Sequence, residues 1–446
     1  MRRYVTWSIL TLMVSLLIPG LAWAGEPTLD TGDTSFILVC TFLVFLMTPG
    51  LAFFYGGMVR KKNVLSTMMH SFIVICLVSV QWVLFGYTLA FGPDVKKIVG
   101  NLDLIGLSGM GTGIIGTIPD YVFMAFQLMF AIITAALISG AIAERMRFPA
   151  FIAFVLLWTT LVYDPLAHWV WGGGWLMTLG ALDFAGGTVV HISSGVAGLV
   201  AALVVGKRLG HGVKTMTPHS LPFTVLGAGL LWFGWFGFNP GSALAANALA
   251  ANALVTTNTA AASAALGWVI AEWLRFGKPT VLGAASGCIA GLVAITPAAG
   301  FVTPLASIII GLVGGVVCFI AVAIVKGKLG YDDSLDAFGV HGVGGIWGAL
   351  ATGLFACPAV NELGTGLFYG NPAQLGIQAI GVIATIALSG ILTFIILKVI
   401  GLFTPLRATV DEEEAGLDIT LHGESAYHEG GGAVRDGGLV GTPAVS

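Results

Sequence analysis

Two histidines sit inside long apolar runs of this 446-residue chain, and each is followed by a glycine four and again seven residues later. His191 precedes Gly195 and Gly198; His341 precedes Gly345 and Gly348. Positions i, i+4 and i+7 share one face of a helix, so each imidazole stands above two glycines. A neutral imidazole has one donor and one acceptor, so a pair can contact a small polar solute and pass a proton along. Glycine on that face lets another backbone come close, which narrows the space the imidazole looks into. A histidine that only packs is the plainer reading of one such residue, and two at matching positions argue against it. Each also has an aspartate upstream, Asp183 and Asp336. Ionisable groups at membrane depth are costly unless they line a polar cavity or find partners.

The elements that must position these residues are membrane spans. The chain is 57% hydrophobic and 9% charged, whereas about a quarter of a soluble domain is charged. A net charge of −3 gives no reason to expect nucleic acid as a partner. The five cysteines form no CxxC pair, and most lie in apolar runs, where they read as small core residues. Residues 1–24 carry Arg2 and Arg3, a short apolar core and an Ala22-Trp23-Ala24 stretch, which is the pattern of a cleaved secretory signal. The alternative is an uncleaved first span, against which the short core argues.

Beyond it, runs long enough to cross hydrocarbon fall at 33–59, 64–91, 119–143, 148–166, 188–206, 220–239, 247–272, 279–297, 303–325, 338–356 and 374–402. Strand periodicity is absent, so the expected fold is all-α, with eleven transmembrane helices. Basic residues follow the odd-numbered spans: Arg60, Lys61 and Lys62; Arg145 and Arg147; Lys207, Arg208 and Lys214; Arg275 and Lys278; Lys326 and Lys328; Arg407. The opposite side offers only Lys96 and Lys97, so the topology is N-out, C-in. The two histidine spans are the fifth and the tenth, and therefore run in opposite directions. An inverted five-plus-five repeat with its special site at the interface is a transporter signature.

"DFAGGTVVHISSGVAGLV" (183–200), "FGWFGFNPGSA" (233–243) and "DAFGVHGVGGIWG" (336–348) resemble the signatures of the Amt/Rh ammonium transporter family. "TPGLAFFYGGMVRKKN" (48–63), "GAIAERMRF" (140–148) and "GLDITLHGESAY" (416–427) strengthen the likeness, and the bacterial Amt branch is the nearer match. The resemblance implies an ammonium transporter or channel of the cell inner membrane. In such proteins an extracellular vestibule recognises ammonium, for which methylammonium is an analogue. The matching residues here are Phe126, Phe130, Trp171 and Ser242. A small cation over an aromatic face gains about 0.5–2 kcal/mol, most over Trp, although aromatics at span ends are usually interfacial anchors.

The resemblance further implies a gate of stacked rings, Phe130 and Phe238, and below it a pore lined by His191 and His341, which share a proton. Potassium is similar in size to ammonium but has no proton to give, so a path that requires deprotonation can separate them. Asp183 is placed to accept bonds from the free N–H groups of "GGT" at a helix start, or to shape the recognition site. Asp336 reads as a structural cap or an exit-vestibule residue. The family also implies a homotrimer, a transporter domain over 25–402, and a cytoplasmic tail over 403–446 that meets a PII-type signal protein. No cofactor is implied.

Rival readings are weaker. "HISSG" sets His191 beside Ser193 and Ser194, but residues two and three apart on a helix are poorly aligned as nucleophile and base. No GxSxG elbow, HExxH helix or CxxC motif accompanies them. A sensor of ammonium is expected to append a cytosolic signalling domain. The Rh branch, which favours neutral gases, fits less well with Trp171 and an exported N-terminus.

Overall fold

The computed structural model describes residues 28–427; the signal region 1–24 and the Gly-rich end of the tail lie outside the described residues. Among the described residues, ten helices are long and apolar enough to cross a membrane. They are α1 (Thr31–Met58), α2 (Lys61–Phe91), α3 (Asp120–Ile142), α4 (Phe148–Leu179), α5 (Gly187–Val205), α6 (Leu221–Gly241), α7 (Ala248–Phe276), α9 (Pro304–Leu329), α10 (Phe338–Phe355) and α11 (Pro372–Phe403). An apolar helix of 15 residues, α8 (Val281–Ile295), occupies the place of the eighth expected span. The chain is therefore a multi-pass membrane protein. Helices satisfy their own backbone groups where no water can, which is why these runs fold as they do.

The helix starts obey local chemistry. Asp30, Ser220, Asn247, Thr280 and Thr303 each turn a side-chain oxygen onto an amide of the first turn of α1, α6, α7, α8 and α9. The chain is mostly helical, and the loop between α2 and α3 adds two hairpins of two-residue strands, β1–β2 (Asp94–Val95, Val99–Gly100) and β3–β4 (Ile114–Ile115, Ile118–Pro119). The fourth span also runs further than 166, to Leu179, with a break just past Val170 that leaves Trp171 at a corner.

α5 and α10 cross at glycine. A Cβ on Gly195 would lie 2.2 Å from the Gly342 amide nitrogen, and one on Gly345 would lie 3.1 Å from the His191 Cβ. Only glycine permits that approach, so the two histidine-bearing helices are held backbone to backbone. Each begins with a wider π-helical turn, Gly187–Ile192 and Phe338–Gly342, and the histidine lies within it. Such turns recur at functional sites. α1 and α6 form a comparable pair, in which a Cβ on Gly227 would lie 2.2 Å from the Phe54 amide nitrogen.

The end of the bundle that carries the tail is tied by charge. Glu144 pairs with Arg60 at 2.8 Å and Arg208 at 3.3 Å, and Arg208 reaches Asp332 at 2.8 Å. Burial alone would raise the Asp332 carboxyl, but the bonds and charge of Arg208 outweigh it and hold it well below the usual carboxylate range. Arg145 is not a solvated marker of the inner side: it is fully buried and donates to carbonyls of Ala141, Ala143, Gly206 and Asp332. Two short tail helices, α12 (Val410–Ala415) and α13 (Leu417–His422), dock beneath it. Lys62 donates to the Glu413 and Glu414 carbonyls, and Asp418 accepts from the Ser66 amide at 2.8 Å.

Candidate functional site

A vestibule of about 350 Å³ opens at the end of the bundle opposite the tail. α3 contributes Phe123, Gln127 and Phe130, the α4 corner contributes Trp171, and the end of α6 contributes Ser242. The Trp171 indole donates to the Asp183 carbonyl at 2.9 Å, which fixes the direction of its ring. Ser242 donates its hydroxyl proton to the Phe238 carbonyl at 2.9 Å, so its lone pairs remain to accept from a solute. Phe126 departs from expectation. It is fully buried, packs edge-on to Phe130 at 4.9 Å and does not line the vestibule; its ring lies behind that of Phe130, against Gly241.

Phe130 closes the floor. Its ring lies 4.2 Å from that of Phe238, centroid to centroid, at an interplanar angle of 33°, and both are buried. Beyond them is a chamber of about 10 Å³, room for about one water-sized molecule. Leu51, Ile133, Leu137, Leu231 and Ile289 give it apolar walls, and among the described residues His191 and His341 are its only titratable lining groups. The two imidazoles approach Nδ1 to Nδ1 at 3.3 Å with planes 20° apart, so one ring donates and the other accepts. That leaves His191 Nε2 buried with no hydrogen-bond partner among the described residues. Trp235 stacks on His191 at 5.5 Å and holds its plane. His341 also lines a further cavity of about 170 Å³ toward the tail end, together with Tyr55, Trp268, Glu272 and Asp336.

The carboxylates orient the helices. Asp183 accepts from the amides of Gly186 at 2.8 Å, Gly187 at 2.6 Å and Thr188 at 2.8 Å, and from the Thr188 hydroxyl. Burial raises its carboxyl, and these bonds from Thr188 and the glycine amides pull the other way. Its counterpart on α10 is not Asp336. Asp333 accepts from the amides of Ala337 at 3.1 Å and Phe338 at 2.7 Å, and it precedes His341 by eight residues, as Asp183 precedes His191. Burial pushes the Asp333 carboxyl up to about 6 despite Lys326 nearby. Asp336 has a left-handed backbone (φ 63°) and pairs with Lys326 Nζ at 2.6 Å, so it cannot cap; it lines the inner cavity instead.

Sequence reasoning missed Asp333 and Gln127. The eight-residue spacing to the histidine would have found the first. The second is a polar side chain in the apolar α3 run, and its Oε1 is buried without a partner.

Vestibule, ring pair, chamber and inner cavity follow one another through Phe130, Phe238 and His341, so the fold is that of a multi-pass membrane protein with a row of interior cavities. The model of the Ammonium Transporter Family matches residues 35–427. An ammonium transporter of Bacillus subtilis (strain 168) is 59% identical over 405 residues, covering 90% of this chain and all of that one. Amt1 of Archaeoglobus fulgidus is 49% identical over 400 residues, covering 90% and 100%. Among solved structures, Saccharomyces cerevisiae Mep2 superposes with a TM-score of 0.81 at 38% identity, covering 86% of this chain and 89% of that one. A structure described as a sensor Amt protein gives 0.83 at 32% identity, covering 87% and 97%. The chain belongs to the ammonium transporter family. Its function is transport, not catalysis.

Proposed function

We propose that this chain recognises ammonium at the vestibule, strips it of a proton, and conducts ammonia past Phe130 and Phe238 to the paired histidines. The observation that carries this reading is the chamber itself: it is apolar apart from the two imidazoles and holds about one small molecule. Trp171 and Phe130 offer π faces to the cation, and Ser242 accepts one of the N–H bonds that water gives up. Stacked rings raise the barrier for hydrated ions. His191 Nε2 then meets the neutral solute, and the Nδ1–Nδ1 contact provides a link along which the separated proton can travel to His341. Potassium, with no proton to release, is refused.

The finer architecture belongs to the same proposal: eleven spans, N-out and C-in, built as an inverted five-plus-five repeat after a signal peptide over 1–24. The like glycine crossings of α1 with α6 and α5 with α10 support the repeat, as do the two carboxylate caps eight residues before each histidine. The assembly is a homotrimer in the inner membrane, with 25–402 as the transporter domain. The tail over 403–446 meets a PII-type partner; pull-downs from membranes should lose that partner when the chain is cut after Leu402.

The deciding experiment is current recorded from reconstituted liposomes during an inward ammonium gradient. The proposal expects current in ammonium and none in an equal potassium gradient. Equal currents in both would refute it.

A further inference from the structure

Between the last turn of α2 and the α4 corner lies a polar contact that the proposed path does not use. His168, three residues before Trp171, is fully buried, and both of its ring nitrogens are engaged. Nδ1 lies 3.0 Å from the Ala90 carbonyl oxygen, and Nε2 lies 2.9 Å from Asp94 Oδ1 in the β1–β2 hairpin. A carbonyl and a carboxylate can only accept, whereas a neutral imidazole has a single N–H. The pair therefore holds one more proton than a neutral ring beside a carboxylate would. The bond from His168 keeps the Asp94 carboxyl below its usual range, so that proton stays on the ring. Lys97 is the other charge at the pair, with its Nζ 3.9 Å from Asp94 Oδ2.

Further bonds run from the same hairpin to the corner. Lys97 Nζ donates to the Gly173 carbonyl at 3.0 Å, and the Trp175 amide donates to the Lys97 carbonyl at 3.0 Å. The Trp169 indole donates to the Ile98 carbonyl at 2.8 Å. The corner has no slack: a Cβ on Gly172 would lie 2.0 Å from the Ala90 carbonyl oxygen and 2.7 Å from His168 Nδ1. Trp171 is held between this fastening and its own bond to the Asp183 carbonyl.

We propose that His168 and Asp94 are a positioning pair: while they keep the extra proton, they hold the corner so that the Trp171 ring faces the vestibule. The inference rests on the reading of Trp171 as a recognition residue. Neither member of the pair touches the solute. Losing the proton sets the Nε2 lone pair against the carboxylate, which loosens the hairpin from the corner and blurs the direction of the indole.

Asp94→Ala and Asp94→Asn in the full-length protein test the pair; Asp94 is an exposed hairpin residue, so both variants should fold. Alanine loses the bond. Asparagine keeps one with a neutral ring, because its amide N–H donates to Nε2 while Nδ1 still donates to Ala90. Deuterium exchange over residues 168–175 should therefore quicken in Asp94→Ala and stay as in the parent in Asp94→Asn. Half-saturation of methylammonium uptake should rise about three- to fivefold in Asp94→Ala, less than in Trp171→Leu, with the maximal rate kept. From about pH 6 to 9, where imidazoles give up protons, half-saturation should rise in the parent and stay level in Asp94→Asn. Methylammonium, like a lysine side chain, remains a cation over that range. Unchanged exchange in Asp94→Ala would overturn the pair as a fastening. Faster exchange with unchanged half-saturation, or the same pH profile in parent and Asp94→Asn, would overturn its link to recognition. Where Trp171→Leu also leaves half-saturation unchanged, the failure is that of the vestibule reading, and exchange alone judges the fastening.

Discussion

The Nδ1 atoms of His191 and His341 face each other at 3.3 Å, although 150 residues separate them in the chain. The contact exists because Gly195 and Gly345 let α5 and α10 meet backbone to backbone. In the proposed mechanism the two rings act as one unit.

Replacing either histidine by leucine should therefore cut ammonium-driven current strongly, and the double variant should lose little more, since effects within one unit do not add. His341→Asp should instead admit potassium, because a fixed anion attracts cations into the pore. Liposome currents in ammonium and potassium check all four proteins. Full ammonium current in both single leucine variants would reduce the histidines to packing residues.

Trp171→Leu removes the strongest π face of the vestibule and the indole bond to the Asp183 carbonyl. A cation–π contact is worth about 0.5–2 kcal/mol, so apparent affinity for methylammonium should fall about two- to thirtyfold. Uptake measured across concentrations will show it; an unchanged half-saturation point removes Trp171 from recognition.

Asp333 and Asp336 should part company in stability. Asp333→Ala leaves the buried Ala337 amide and the part-buried Phe338 amide without acceptors, at a cost of about 1–3 kcal/mol for the first and less for the second. Asp336→Asn loses one ion pair with a partly exposed lysine, worth about 1 kcal/mol or less, and asparagine tolerates its left-handed backbone. Thermal unfolding in detergent should rank Asp333→Ala well below Asp336→Asn. The reverse order would restore Asp336 as the cap.

Asp332 sets a pH dependence. Its folded pKa lies below the ordinary value of 3.8, so its stabilisation is fully present above that value and fades as pH falls through the lowered one. Asp332→Asn takes from Arg208 one of its two carboxylate partners and leaves Glu144, so it should cost about 2 kcal/mol at pH 7, as losing a hydrogen-bonded charge does. The gap in unfolding temperature between parent and variant should narrow only below about pH 4. A gap that closes between pH 7 and 5 would contradict the assigned shift.

The primary structure carried the helical spans, because apolar runs of that length in lipid have few other ways to satisfy their backbone. It also carried the histidine–glycine spacing, since a helix turns a fixed period into a face. Phe126 shows where this reading stopped. Four residues from Phe130 it shares a helix face, yet which ring reaches the vestibule depends on how α3 is rotated against α6. Asp336 is a second case: proximity in sequence favoured it as a cap, but its left-handed backbone and Lys326 turn it away, and Asp333 takes the amides. Arg145 is a third, since whether a loop arginine is solvated or buried depends on the Gly206 and Asp332 carbonyls, which reach it from two distant parts of the chain beside the local ones of Ala141 and Ala143. The period of a helix is local and can be read along the chain. The meeting of two imidazoles 150 residues apart is settled only when helices pack, because each glycine contact needs a partner backbone that the local sequence does not contain.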